Sequence, residues 1–106
     1  INRTLAIELI RNLIDNAIKY NKIKGMITIT LNEQKLVIRD TGIGIPEADI
    51  SRVFERFYRV DKAKSKEQGG TGLGLAIVKH ICGLYGYQIN LQSVVDKQTT
   101  ITIIFK

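Results

Sequence analysis

The strongest constraint in this chain is that its strand-like segments come in adjacent pairs, each pair closed by a short polar turn and preceded by a helix-like segment. Met26-Ile-Thr-Ile-Thr-Leu31 alternates apolar residues with Thr, Asn32-Glu33-Gln34 makes a turn, and Lys35-Leu-Val-Ile-Arg-Asp40 follows. A second pair covers about 89–95 and 99–105 across Asp96-Lys97-Gln98. Alternation at period two marks strands, and turns this short allow only antiparallel neighbours. Before the first pair, Leu5, Leu9, Leu13, Ile14, Ala17 and Ile18 recur at the helical spacing, with Asn2 or Thr4 to cap the start. Before the second, Leu73, Ala76, Ile77, Ile81 and Leu84 do the same as far as Gly86. Pro46 and Glu47 suit the first turn of a short helix running towards Phe54, whereas 58–70 is polar, basic and aperiodic, as a mobile surface segment is. Hairpins with helices between them disfavour a doubly wound parallel sheet. They predict an α/β two-layer sandwich, a mixed, largely antiparallel sheet covered by helices on one face.

With 106 residues, 44% of them apolar and 25% charged, the chain has enough core for one domain and too little charge for a disordered tail. Its single cysteine, Cys82, lies beside Ile81 and Leu84 and reads as a small buried hydrophobe, so a disulfide scaffold is excluded. No stretch of about 20 apolar residues exists, and Glu8, Arg11 and Asp15 interrupt what a signal peptide would need. A soluble domain is the expectation. The formal net charge of +6 invites an anionic partner, but most lysines are scattered over what reads as solvated surface. Arg52, Arg56, Arg59, Lys62, Lys64 and Lys66 stand apart as a cluster.

Three segments carry candidate chemistry. Gly69-Gly-Thr-Gly-Leu-Gly-Leu75 leads into the last helix and brings backbone N–H groups to the positive end of a helix dipole, an arrangement suited to anions and equally to a plain hinge. It has neither the spacing of a Walker A loop nor that of a dinucleotide fingerprint. Asp40-Thr-Gly-Ile-Gly-Ile45 follows a strand directly; a turn needs no more than its glycines, yet a carboxylate ending an apolar strand is costly unless it accepts hydrogen bonds, and a ligand amino group would suit it. On the first helix, Asn12, Asn16 and Lys19 fall within a stripe about 60° wide at the rim of the apolar arc. Polar residues are commonplace there, but asparagine oxygens also suit a hard cation such as Mg2+.

Together the segments resemble something that none resembles alone. ELIRNLIDNAIKYN is similar to the N box, DTGIGIP to the G1 box, FERFYRVD to the F box and GGTGLGLAIVKHI to the G2 box of the ATP-binding catalytic domain of sensor histidine kinases, in that order and over nearly the whole chain. The resemblance implies a Bergerat fold with a mobile ATP lid. It makes Asn16 the Mg2+ ligand, with Asn12 beside it and Lys19 and Tyr20 reaching towards the phosphates. Asp40 would accept the adenine amino group, Gly42 and Gly44 would leave room for the base, and Ile45 and Tyr58 would belong to the same nucleotide-binding set. Gly70, Thr71, Gly72, Leu73, Gly74 and Leu75 would bend around the triphosphate. Phe54 and Phe57 would pack the lid down, while Arg59 and Lys64 would neutralise the γ-phosphate, as phosphoryl transfer requires.

The implied reaction is Mg2+-dependent transfer of the ATP γ-phosphoryl group to a histidine on separate dimerisation and phosphoacceptor helices, with a response regulator downstream. The implied setting is a monomeric cytoplasmic domain cut from a homodimeric parent anchored in the bacterial inner membrane, with no nucleic acid as partner. His80, the only histidine, follows Lys79 among Ile77, Val78 and Ile81 and reads as an ordinary helix residue. Tyr85-Gly86-Tyr87 and Gln98 depart from the usual pattern at turns. ATPases of the gyrase, mismatch-repair and chaperone kind carry a glutamate at the position of Asn12 to activate water, and an amide is a poor base. Serine kinases that act on anti-sigma-factor antagonists are disfavoured by the F-box match. A binding module without nucleotide chemistry remains a third reading, distinguished by steep salt dependence and indifference to Mg2+.

Overall fold

The computed structural model describes residues 2–21, 24–56, 58 and 73–105. In chain order the elements are α1 (Arg3–Lys19), β1 (Ile27–Leu31), β2 (Lys35–Asp40), α2 (Glu47–Ile50), α3 (Gly74–Tyr85), β3 (Gln88–Val94) and β4 (Gln98–Ile104). The four strands form one sheet in the order β1-β2-β4-β3, and each of its pairings is antiparallel. Both anticipated hairpins are present. They are joined side by side through β2 and β4, with Leu36 opposite Ile103 and Ile38 opposite Ile101.

Local chemistry explains the boundaries. Asn2 caps α1, its Oδ1 accepting from the Leu5 N–H at 3.0 Å, and Lys19 stands in the last turn where a cation complements the helix dipole. In the first turn between strands, Asn32 Oδ1 accepts from the N–H groups of Gln34 and Lys35 at 2.8 and 2.9 Å. Gly86, at φ 70°, ends α3 in the left-handed conformation that glycine adopts without strain. The helix expected from Pro46 to Phe54 is only four residues long. Beyond it Arg52 and Glu55 donate to the carbonyls of Asp49 and Arg52, so the segment continues as three-residue turns.

The sheet's inward face alternates as period two requires. Leu36 and Ile38 on β2, Ile101 and Ile103 on β4 are buried against Leu9, Leu13 and Ala17 of α1 and Leu75, Val78, Ile81 and Cys82 of α3, with Ile89 and Leu91 of β3 packed at the margin. Full burial of one such side chain is worth roughly 1.5–3 kcal/mol, which makes this cluster the main driving force for layering helices on the sheet. Cys82 is the small core residue its surroundings suggested, and burial pushes its thiol pKa up. The apolar arc of α1 is wider than the core it meets: Ile7 and Ile18 are exposed. At the pole remote from Asp40, Tyr85 stacks on Tyr87, Tyr87 meets Phe105 edge-on, and the Tyr85 hydroxyl accepts from the Asn2 N–H at 3.2 Å. The Tyr85-Gly86-Tyr87 turn therefore ties the end of α3 to the start of α1. Among the described residues no helix is long and apolar enough to cross a membrane.

Candidate functional site

Asp40 occupies the last inward position of β2 and is 5% exposed. Its Oδ1 accepts from the Gly42 N–H at 2.9 Å; among the described residues Oδ2 has no hydrogen-bond partner. Burial pushes this carboxyl above its ordinary pKa, opposed by the Gly42 hydrogen bond. A buried carboxylate oxygen without a donor is costly in the empty protein, and it suits a ligand that brings an N–H.

The loop after Asp40 is held by its neighbours on both sides. The Ile43 N–H donates to the Tyr20 carbonyl at the end of α1 (3.1 Å), and the Ile43 carbonyl accepts from the Asp96 N–H in the turn between β3 and β4 (2.8 Å). The glycines permit this. A Cβ at Gly42 would lie 2.2 Å from the Tyr20 carbonyl oxygen, and one at Gly44, where φ is 74°, would lie 2.4 Å from the Val94 carbonyl oxygen. Both glycines make space for the protein's own backbone.

Next to Asp40 lies a row of polar groups that the motifs did not reveal. Thr99 stands directly opposite Asp40 in the β2–β4 ladder, and Ser93 directly opposite Thr99 in the β4–β3 ladder, so the three share the inward face. Thr99 is 5% exposed. Ser93 Oγ accepts from the Ile45 N–H at 2.7 Å, donates to the Gln98 carbonyl at 3.0 Å and lies 2.8 Å from Thr99 Oγ1. A sequence signal for this row existed. Each of these three strands changes from Ile or Leu to a polar residue at its last inward position on the same end of the sheet: Ile38 to Asp40, Ile101 to Thr99, Leu91 to Ser93.

On α1, Asn12, Asn16 and Lys19 are half-buried, as a stripe at the rim of the apolar arc predicts. Asn12 Nδ2 donates to the Glu8 carbonyl at 2.8 Å, which leaves Oδ1 directed at the start of α3, 3.4 Å from where a Gly74 Cβ would sit. Among the described residues no side chain caps that helix, and its first internal hydrogen bond runs from the Ile77 N–H to the Leu73 carbonyl. The amides of Gly74, Leu75 and Ala76 therefore have no acceptor within the helix. Leu75 itself is in the core, so only its backbone faces outward chemistry. Tyr58 is half-buried; its hydroxyl donates to Asp49 Oδ1, and the Arg52 guanidinium sits 4.7 Å from its ring centre. The structure thus joins α1 to the glycine loop through Tyr20 and to the start of α3 through Asn12. Phe57, Arg59, Lys64, Gly70, Thr71 and Gly72 lie outside the described residues. His80 is exposed on α3.

The comparisons with known proteins agree with this geometry. The family model described as histidine kinase-, DNA gyrase B- and HSP90-like ATPase matches residues 1–106. The chain belongs to that ATPase family. Among curated relatives of this chain, the sensor histidine kinase WalK of Bacillus subtilis is 46% identical over 101 residues, which span 90% of this chain and 16% of WalK. The signal transduction histidine-protein kinase ArlS of Staphylococcus aureus is 52% identical over 96 residues, 87% of this chain and 21% of ArlS. The chain thus spans about a fifth of the length of these relatives or less. Among solved structures, the mycobacterial sensor histidine kinase MprB superposes with a TM-score of 0.83 at 30% identity, covering 98% of this chain and 73% of that one. The shared architecture is the Bergerat fold, an antiparallel sheet with helices layered on it.

Proposed function

We propose that this chain is the ATP-binding catalytic domain of a sensor histidine kinase, which binds Mg-ATP and donates the γ-phosphoryl group to a histidine on a separate dimerisation and phosphoacceptor domain. The observation that carries the reading is Asp40: a buried carboxylate with one oxygen unpartnered among the described residues, at the polar end of an otherwise apolar sheet face. An acceptor in that position favours a base with an exocyclic amino group and disfavours one with a carbonyl there, hence adenine over guanine. Asn12 presents its amide oxygen at the start of α3 and Asn16 and Lys19 follow on the same stripe of α1; with the amides of Gly74, Leu75 and Ala76 they would make a set that fits a metal-bound triphosphate. Bound Mg2+ would supply charge neutralisation at the phosphate oxygens. Arg59 and Lys64 would add cations at the γ-phosphate.

In the transfer step the acceptor imidazole nitrogen forms a bond to the γ-phosphorus, the bond to the β–γ bridging oxygen breaks, and ADP leaves. This chain's residues bind and orient; none is needed as a base for water, and Asn12, an amide tied to the Glu8 carbonyl, is unsuited to that task. Relatives of this family named as sensor histidine kinases support transfer to histidine over hydrolysis. The parent would be a homodimer in the bacterial inner membrane that passes its phosphoryl group to a response regulator.

Calorimetry with a non-hydrolysable ATP analogue, with and without Mg2+, tests the reading on the unmodified chain, Asp40→Asn and Asn16→Asp. Support takes the form of binding that weakens without Mg2+ and is largely lost in Asp40→Asn. A chain that binds no adenine nucleotide at millimolar concentration would overturn it.

A further inference from the structure

Ser93 belongs to none of the glycine or asparagine motifs, yet its hydroxyl meets Ile45, Gln98 and Thr99 at the polar end of the sheet. Its hydroxyl has one proton and two lone pairs. The proton goes to the Gln98 carbonyl at 3.0 Å, so Ser93 Oγ acts as acceptor towards both the Ile45 N–H at 2.7 Å and the Thr99 hydroxyl at 2.8 Å. Two consequences follow from that allocation. The Ile45 amide, in the loop that carries Asp40 and Gly42, is fastened to β3. The Thr99 proton points away from Asp40, towards Ser93, so Thr99 Oγ1 joins the Asp40 carboxylate in offering lone pairs on the inward face.

We propose that Ser93 is a positioning residue for nucleobase selection: by holding the Ile45 backbone and the direction of the Thr99 hydroxyl, it keeps this end of the sheet an all-acceptor surface that prefers a base bearing an amino group. The inference rests on the adenine reading above. Loss of the Ser93 oxygen releases the Thr99 hydroxyl to rotate and donate, which relieves the disadvantage of a base carbonyl and loosens the loop at Ile45.

The test is calorimetric binding of ADP, GDP and inorganic tripolyphosphate to the full chain, unmodified and as Ser93→Ala and Ser93→Thr. Loss of one buried hydrogen-bonding group corresponds to about a tenfold change. Ser93→Ala should weaken ADP by about that factor, shrink the preference for ADP over GDP similarly, and leave tripolyphosphate unchanged. Ser93→Thr, which keeps the hydroxyl on a side chain well suited to a strand, should restore both within about twofold. The proposal is overturned if Ser93→Ala keeps the ADP-to-GDP ratio, or if it weakens ADP and tripolyphosphate by the same factor, as general loosening would. Should Ser93→Ala not fold, Ser93→Cys, similar in size but a weaker acceptor, carries the same expectations. An unmodified chain with no preference for ADP over GDP would remove the adenine reading and this proposal together. That result is separable from one in which the unmodified chain prefers ADP and Ser93→Ala does too.

Discussion

One face of one sheet behaves in opposite ways at two places. At the end of β2 and β4, Asp40 and Thr99 are polar and each only 5% exposed; on β1, Ile29 and Leu31 are apolar and 48% and 63% exposed. These residues share a face, since Ile29 pairs with Ile38 and Leu31 with Leu36. The difference comes from the helices, not from the strands. α1 and α3 lie over β2, β4 and β3, whereas β1 extends beyond their cover. Burial here is set by the position of the upper layer, and the informative residues are those whose chemistry conflicts with it.

The comparison can be broken most forcefully in the covered part. Ile103 is fully buried between the layers, and Ile103→Ala should cost about 2–5 kcal/mol in denaturant-monitored unfolding. A cost no greater than that of a change on β1 would show that helix cover does not define the core.

Next in size is Asp40→Asn, which should reduce affinity for an ATP analogue about a hundredfold or more without lowering the thermal midpoint of the empty chain. The sign follows from linkage. Burial raises the folded pKa of Asp40 above 3.8, so its contribution to stability is fully present below that value and is lost as pH rises through the folded pKa. The stability difference between Asp40→Asn and the unmodified chain should therefore grow in favour of the variant with rising pH and then level off. Nucleotide affinity of the unmodified chain should rise over the same window, as the ionised acceptor forms. A midpoint that falls in Asp40→Asn at neutral pH would show that the carboxylate is there for the fold.

Gly44→Ala combines a left-handed φ of 74° with a Cβ 2.4 Å from the Val94 carbonyl oxygen. It should cost about 1–2 kcal/mol or more, with the larger effect on nucleotide binding if the loop shifts. Smallest of all, Leu31→Thr on the uncovered strand should stay within about 0.5 kcal/mol of the unmodified chain. A larger loss would mean that β1 is packed against something in solution.

Much of this was legible in the sequence because the two structural periods differ so clearly here. Met26 to Leu31 alternates apolar residues with Thr, residues 5–18 repeat every three or four positions, and the structure contains the corresponding hairpin and helix. The border position of Asn12 and Asn16 followed from helical geometry alone. The length of α2 did not, because Pro46 and Glu47 specify a start and nothing local specifies that the backbone tightens after Ile50. The neighbours of Gly42 and Gly44 did not follow from motif spacing either, because the Tyr20 and Val94 carbonyls reach them from other elements. The polar end residues Ser93 and Thr99 are each visible within their own strand, but their proximity to Asp40 depends on β4 lying between β2 and β3. That order is a property of the sheet, and no window along the chain contains it.

The same strand order has a kinetic consequence. Each hairpin closes through near neighbours, but Asp40 and Thr99 become adjacent only when β2 finds β4 across the whole intervening segment. Contacts so distant in the chain pay their loop entropy before they gain anything, and they form late. By that argument the Asp40–Thr99 end of the sheet should be assembled late, at the seam between two hairpins that can each form earlier. In hydrogen exchange, amides of β4 facing β2 should report the global opening, and a nucleotide should slow them as much as it raises the stability of the whole chain.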